Sequence, residues 1–400
     1  MQVKENISSR VAYLSYDGLT DPLGQSQILP YVLGLEAKGF EFVIISFEKP
    51  AAYQKGRSNI EATIAGKKIK WLPLRYHKNP PVLSTLFDVY CLWKAVRREH
   101  KQKPINILHC RSYLPALVGL RMKRQAGIKF IFDMRGFWAD ERVEGGLWNL
   151  KNPLYKFIFR YFKKVEKEFL AEADNVISLT ENARQEILSW GLNTAPITVI
   201  PTCVDLDLFN PEKIKKEDQE KLRAQLGIKE ENFILLYLGS WGTWYLTKEM
   251  LELFSNLKKQ KSEARFLIVS ADNINLEGYT YKNDVIVTQA PRNLVPLYIS
   301  LANASVFFIK PSYSKKASSA TKMGEIIAME VPFITNAGWG DIDRLSNRYN
   351  GFILEELTNK AFTESVLMLN DPRVDLVGPS KAELSLDFGV NSYQRVYLTI

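Results

Sequence analysis

Four hundred residues exceed what one ordinary hydrophobic core organises, so two domains are expected. A balance of 46% hydrophobic and 24% charged residues excludes a disordered chain, and no apolar run reaches the roughly 18–20 residues that cross a bilayer. The net charge of +9 favours an anionic partner, an acidic membrane surface or a phosphorylated small molecule, but charge alone does not make a nucleic-acid binder, and no nucleic acid is expected as a partner.

The opening Met1-Gln2-Val3-Lys4-Glu5-Asn6 lacks the apolar stretch of a signal peptide. Cys91, Cys110 and Cys203 are odd in number and far apart, with no disulfide or zinc spacing. Both features fit a cytoplasmic setting.

The first apolar run, Arg10–Tyr16, reads as a β-strand. The turn after it, Tyr16-Asp17-Gly18-Leu19-Thr20-Asp21-Pro22-Leu23-Gly24-Gln25-Ser26-Gln27, leads into a helix expected to begin near Ser26. Gly24 would let the backbone approach a ligand, and the helix N-terminus would offer N–H groups to an anion. An ordinary strand–helix turn fits the same residues. The segment lacks the Gly-x-Gly-x-x-Gly dinucleotide fingerprint, which disfavours a nicotinamide enzyme.

Further strands are expected at Glu41–Phe47, Ile69–Leu74, Ile105–Cys110, Lys129–Met134, Asn175–Leu179 and Ile197–Ile200. Each is followed by a turn or a helical pattern, a βαβ rhythm that builds a parallel sheet with helices on both faces. His109 reads as a satisfied buried histidine, and Arg111, just past the strand, as an acceptor-side candidate.

Charged and aromatic residues crowd Phe132-Asp133-Met134-Arg135-Gly136-Phe137-Trp138-Ala139-Asp140-Glu141-Arg142, which follows the fifth strand. Arg135 can hold a phosphate or a sugar hydroxyl but cannot act as a base near neutral pH. Asp133 and Glu141, with Asp140, are candidates to orient an acceptor or take its proton, and Trp138 is a candidate for acceptor contact. A structural ion-pair cluster is the competing reading.

Tyr155–Leu170 interleaves aromatic residues with Lys156, Arg160, Lys163, Lys164 and Lys167. It directly precedes a strand, so core packing is expected. Its basic aromatic character, with Arg97, Arg98, Lys101, Lys103 and Arg121–Arg124 nearby in sequence, also suits peripheral contact with anionic lipid.

A hinge is expected at Pro201-Thr202-Cys203-Val204-Asp205 and the polar segment Asn210–Glu220. The rhythm then restarts with Phe233–Gly239, Arg265–Val269, Asp284–Thr288, Ser305–Ile309, Val331–Thr335 and Gly351–Leu354. The fold class is therefore α/β. It comprises two Rossmann-like doubly wound domains, residues 1–203 and 204–384, expected to face each other across a cleft, with a terminal helix in 385–400 and a break at Phe388-Gly389.

In the second domain, the segment Pro311–Glu325 reads as a small basic loop that follows the strand Ser305–Ile309 and leads into a helix holding Glu325. Ser318, Ser319 and Thr321 hydroxyls, backbone N–H groups and Lys322 can together hold a diphosphate. Glu325, about one turn in, can accept hydrogen bonds from ribose hydroxyls. A solvated basic loop is the competing reading.

Asp205-Leu206-Asp207 and Asp341-Ile342-Asp343 both read Asp-x-Asp, but the first lies in the linker and the second starts a helix, where aspartates suit the dipole. His77, His100 and His109 share no ligand spacing. No metal and no other cofactor is expected.

The loop and helix ending at Glu325 resemble those of glycosyltransferase family 4, in which two glutamates eight apart bracket a Gly-rich loop. Glu325 falls on the second, which binds the nucleotide ribose in that family. The first falls on Ala317, so this chain resembles a branch that lacks it. Val199–Pro211 resembles the interdomain strand and linker. Leu236-Tyr237-Leu238-Gly239-Ser240-Trp241-Gly242-Thr243 resembles the first donor-domain strand and turn, with Ser240 in place of the usual arginine and Lys248 as the nearest following lysine. The resemblance implies the GT-B fold and a retaining glycosyltransferase that needs no metal. Its co-substrate would be a nucleoside diphosphate sugar in the second domain, contacting Glu325, Lys322, Thr321, Ser319, Ser318, Thr243 and Gly239, with Gly24 on the facing loop. Its acceptor would be a glycan or lipid-linked saccharide in the first domain, as in surface polysaccharide or lipopolysaccharide synthesis. A nucleotide-sugar epimerase of the same architecture and a non-catalytic sugar- or nucleotide-binding protein are the alternatives.

Overall fold

The computed structural model describes residues 9–345, 351–369 and 381–400; the N-terminal Met1–Asn6 lies outside them. The chain divides into two compact units: residues up to Pro201 with Leu386–Ile400, and Thr202–Ser385.

The first unit runs β1 (Arg10–Ser15), α1 (Pro22–Gln27), α2 (Leu29–Ala37), β2 (Glu41–Glu48), α3 (Pro50–Ile64), β3 (Ile69–Arg75), α4 (Leu83–Gln102), β4 (Ile107–Arg111), α5 (Tyr113–Ala126), β5 (Lys129–Asp133), α6 (Trp138–Glu144), α7 (Pro153–Glu172), β6 (Asn175–Ser178), α8 (Glu181–Ser189) and β7 (Ile197–Val199). Its seven strands pair in the order β3-β2-β1-β4-β5-β6-β7, all parallel. All of β1 and β4 is buried, the pattern of parallel strands covered on both faces.

The second unit contains α9 (Lys216–Leu226), β8 (Ile234–Leu238), α10 (Thr247–Gln260), β9 (Arg265–Val269), β10 (Val285–Thr288), α11 (Val295–Ile299), β11 (Ala304–Val306), α12 (Thr321–Ala328), β12 (Phe333–Asn336), α13 (Ile342–Leu345), β13 (Gly351–Leu354) and α14 (Asn359–Met368). Its six strands run β10-β9-β8-β11-β12-β13, again in parallel. In each unit the strand order reverses at one place, β1/β4 and β8/β11, and ligands of doubly wound sheets bind at such switch points, outside the carboxyl ends of the strands.

Every strand expected from the sequence is present, within two residues at each end apart from the last three residues of Ser305–Ile309. Two helical expectations are corrected. The first helix begins at Pro22, four residues before Ser26, because proline suits the first turn, and Ile28 then separates it from α2. The last helix, α15 (Leu386–Thr399), runs straight through Phe388-Gly389. A helical glycine costs only about 1 kcal/mol against alanine, and Gly389 is buried in the packing of α15 within the first unit. There, a Cβ on Gly34 of α2 would lie 2.6 Å from Val390, so the two helices pack at close range.

Candidate functional site

At the β8/β11 switch point, Gly239 follows β8 with φ +107°, a conformation open to glycine. A Cβ there would stand 3.0 Å from Nζ of Lys322. Lys322, on the first turn of α12, is 8% exposed. Its ammonium has no hydrogen-bond partner and instead lies over two rings, 3.6 Å from the centre of Tyr245 and 4.2 Å from that of Tyr237. The rings favour a cation through their faces but accept no hydrogen bond in the ordinary sense. Burial pushes the Lys322 amine well below the usual lysine range, with nearby Glu325 opposing the shift. No side chain caps the N-terminus of α12 at Ala320, so an uncapped helix start and a buried, unpartnered cation occur in adjacent residues.

Glu325 is 5% exposed and is held by the Arg292 guanidinium, which itself lies 4.6 Å over the Phe209 ring. Arg292 carried no signal in the sequence, and the association of Arg292 and Phe209 with Glu325 is wholly tertiary. Ser319 is committed to the linker, its Oγ accepting from Thr202 N at 3.1 Å and its carbonyl from Thr202 Oγ at 3.0 Å. Ser318 and Thr321 flank the helix start half-buried, and Thr243 is exposed at φ +57°. Lys248 lies on the outside of α10, 3.8 Å from Glu252 and apart from this cluster. Ala317, where the resemblance would put a glutamate, is 2% exposed in a short 3-10 turn.

At the β1/β4 switch point of the first unit, register places Ser15, Arg111 and Asp133 side by side across three strands. Asp133 is fully buried. His109 Nε2 lies 3.2 Å from its Oδ2 and Tyr393 OH 3.4 Å, while Arg135 Nη1 is 3.7 Å from Oδ1. Burial works against the Asp133 charge, but Arg135, His109 and Arg111 outweigh it and hold the carboxyl below its usual value. Burial also lowers the His109 pKa despite Asp133. The imidazole is therefore neutral, with Nε2–H donating to Asp133 and Nδ1 accepting from Tyr397 OH at 2.7 Å. His109 is a satisfied buried histidine, as its sequence context indicated.

Arg135 sits at φ +58°, a strained conformation for a residue with a side chain. Trp138 packs inward among Tyr113, Phe162 and Trp148, and Asp140 pairs with Lys163 at 2.9 Å. Glu141 lies half-buried in the first turn of α6. Gly24 is also explained locally: a Cβ would lie 2.0 Å from the Gly18 carbonyl oxygen, so the chain's own packing requires the glycine.

Asp205 Oδ1 accepts from the N–H groups of Asp207 at 2.9 Å and Leu208 at 3.1 Å, which makes this Asp-x-Asp a loop cap. Among the described residues no group of three or more His, Cys, Asp or Glu is placed to hold a metal ion, and no helix is long and apolar enough to cross a membrane.

Comparison with known proteins adds four findings. Residues 29–208 match the family described as Glycosyltransferase Family 4. The capsular polysaccharide biosynthesis glycosyltransferase CapM of Staphylococcus aureus is 25% identical over 302 residues, 72% of this chain and 73% of that protein. Among solved structures, a glycosyltransferase from Rickettsia africae superposes with a TM-score of 0.70 at 15% identity, covering 98% of both chains. HepE of Anabaena, solved with UDP and glucose, superposes with a TM-score of 0.69 at 12% identity over 98% of this chain and 99% of that one. With two parallel sheets in the GT-B arrangement of strands, this chain is a glycosyltransferase, similar over residues 29–208 to glycosyltransferase family 4.

Proposed function

We propose that the enzyme transfers a sugar, with retention of anomeric configuration, from a nucleoside diphosphate sugar to a hydroxyl of a glycan or lipid-linked saccharide in surface-polysaccharide or lipopolysaccharide assembly. The observation that carries the donor assignment is Lys322, a buried ammonium without a hydrogen-bond partner beside an uncapped helix start and under Gly239. A diphosphate supplies the acceptor oxygens that this cluster lacks. Lys322, Thr321, Ser318 and the first N–H groups of α12 would meet the charge that builds on the leaving diphosphate, a preorganised electrostatic role that needs no metal. Glu325 would accept from the ribose hydroxyls, and Arg292 would have to share or release it.

Support for the setting comes from CapM, a capsular polysaccharide biosynthesis enzyme, and support for the donor class from HepE, which was solved with UDP. In the first unit, Asp133 and Arg135 would orient the acceptor. We place the enzyme in the cytoplasm, peripherally on anionic membrane. α7 turns Phe162, Val165, Phe169 and Leu170 into the core while Phe157, 69% exposed, and the exposed Leu154 and Tyr161 point outward among lysines and arginines.

The deciding experiment is calorimetric titration of the whole chain with UDP, GDP, ADP and TDP, repeated on Lys322→Gln. One diphosphate should bind to the native chain and lose most of its affinity in the variant. Equal binding to both would remove Lys322 from the donor site.

A further inference from the structure

Arg111 ends β4 and is 5% exposed, yet its Nε and Nη1 have no hydrogen-bond partner. A guanidinium keeps its charge at any accessible pH, so buried N–H groups left unsatisfied carry a desolvation cost that a ligand can relieve. The next residue, Ser112, is the N-cap of the fourteen-residue α5 and stands at φ +69° with no side-chain cap hydrogen bond. A cation with unspent donors is thus joined directly to an uncapped helix start, at the switch point between β1 and β4, where ligands of doubly wound sheets bind.

Two carboxylates lie nearby. Asp133, the register neighbour of Arg111, has no hydrogen bond to its Oδ1, but Arg135 lies 3.7 Å from that oxygen, and His109 and Tyr393 reach its Oδ2. Asp133 is therefore met chiefly by Arg135 and His109, with Arg111 a lesser contributor. Asp17 is different: its side chain is 47% exposed, its Oδ2 lies 3.5 Å from Arg111 Nε, and no hydrogen bond joins them. Ser15 Oγ holds the Asp17 backbone at 2.9 and 3.0 Å, so the carboxylate can swing to solvent without moving the chain. It occupies the place of a weak, displaceable counter-ion.

Resting on the glycosyltransferase reading above, we infer that Arg111 and the start of α5 form a phosphate subsite in the first unit, so that the acceptor is a phosphorylated molecule and Asp17 is the group its phosphate displaces. A phosphate oxygen set suits this cluster better than a neutral sugar, because guanidinium N–H groups and helix-start N–H groups all donate and none accepts.

The test is titration of inorganic phosphate and of glycerol 3-phosphate into the full chain saturated with UDP, which keeps the donor site filled. The native chain should take up one phosphate. Arg111→Gln should lose about tenfold or more in affinity, the scale of charge-assisted hydrogen bonds. Asp17→Asn, which removes the competing carboxylate, should bind severalfold more tightly, and Lys248→Gln, on the outside of α10, should leave phosphate binding unchanged. Sedimentation with phosphatidylcholine vesicles, with and without phosphatidic acid, separates the sources: a lipid phosphate adds an Arg111-dependent pelleting that a soluble phosphate acceptor does not. No phosphate uptake by the UDP-saturated chain, or unchanged affinity in Arg111→Gln at an unchanged melting temperature, overturns the inference. Asp17→Asn keeps the test decisive if the arginine variant misfolds, because failure to tighten also overturns it. Should UDP itself not bind, the donor reading fails alone, and the native-against-Arg111 comparison with phosphate still decides this one.

Discussion

The hydroxyl of Tyr397 stands 2.7 Å from Nδ1 of His109, across 288 residues of chain. The bond fixes the imidazole tautomer that lets Nε2–H reach Asp133, so a residue of the last helix holds a carboxylate at the switch point of the first unit in its ionised form. Tyr397→Phe removes the donor and leaves a buried ring nitrogen unsatisfied. The expected cost is about 1–3 kcal/mol, read as a lower urea midpoint, and a midpoint equal to that of the native chain would show that the bond contributes nothing.

The same cluster sets a pH dependence. The folded chain holds the His109 pKa below 6.5 and the Asp133 pKa below 3.8, so in both windows the unfolded chain binds more protons. The His109 contribution is fully present above pH 6.5 and is lost as pH falls toward its depressed value; that of Asp133 is present above pH 3.8 and is lost below it. The melting temperature should therefore fall on acidification below the ordinary imidazole range, and His109→Gln should flatten that first decline. An equally steep decline in the variant would assign it to other groups.

Lys322 gives a sharper signature in binding. Its amine is pushed down by burial without a hydrogen-bonding acceptor, and a bound diphosphate would raise it again. Nucleoside diphosphate binding should take up protons, visible as an enthalpy that varies with the ionisation enthalpy of the buffer. Lys322→Gln should abolish the dependence and weaken binding by about 1.5–3 kcal/mol. Proton release, or none, in the native chain would count against a diphosphate beside this amine.

Glu325→Ala should weaken nucleotide binding by about 1–3 kcal/mol, as expected for lost hydrogen bonds to a charged group. Because Arg292 already engages that carboxylate, a double-mutant cycle on the pair should give a clear coupling energy without nucleotide and a smaller one with it. Coupling that does not change on nucleotide binding would place the ribose elsewhere.

Phe157, on the outer face of α7, touches none of the switch-point clusters. Phe157→Asp should reduce pelleting with phosphatidylglycerol vesicles and leave nucleotide binding intact. Pelleting that is unchanged would detach the membrane reading from this helix.

The strands were legible because parallel strands buried on both faces leave short apolar runs, as at Phe42–Phe47 and Ile234–Leu238. The start of α12 was legible too, since a polar basic loop before an apolar helix is a local pattern. At Gly24, a glycine required by its own chain and one required by a ligand look alike in sequence. The Tyr237 and Tyr245 faces around Lys322, the Arg292 clasp on Glu325 and the His109–Tyr397 bond left no trace in spacing. Each depends on residues brought together by the fold from 33 to 288 positions apart, or across a strand and a loop. Gly389 inside a helix shows packing overriding a local preference.

The first unit is completed by Leu386–Ile400, which follow the whole of the second unit in the chain. During synthesis, the seven strands emerge and wait while the other sheet is made, with Tyr13, Tyr31 and His109 uncovered until Tyr393 and Tyr397 arrive. A nascent chain stalled anywhere in the second sheet would therefore carry an unfinished apolar surface at its leading end, and chaperone demand should be greatest over that interval.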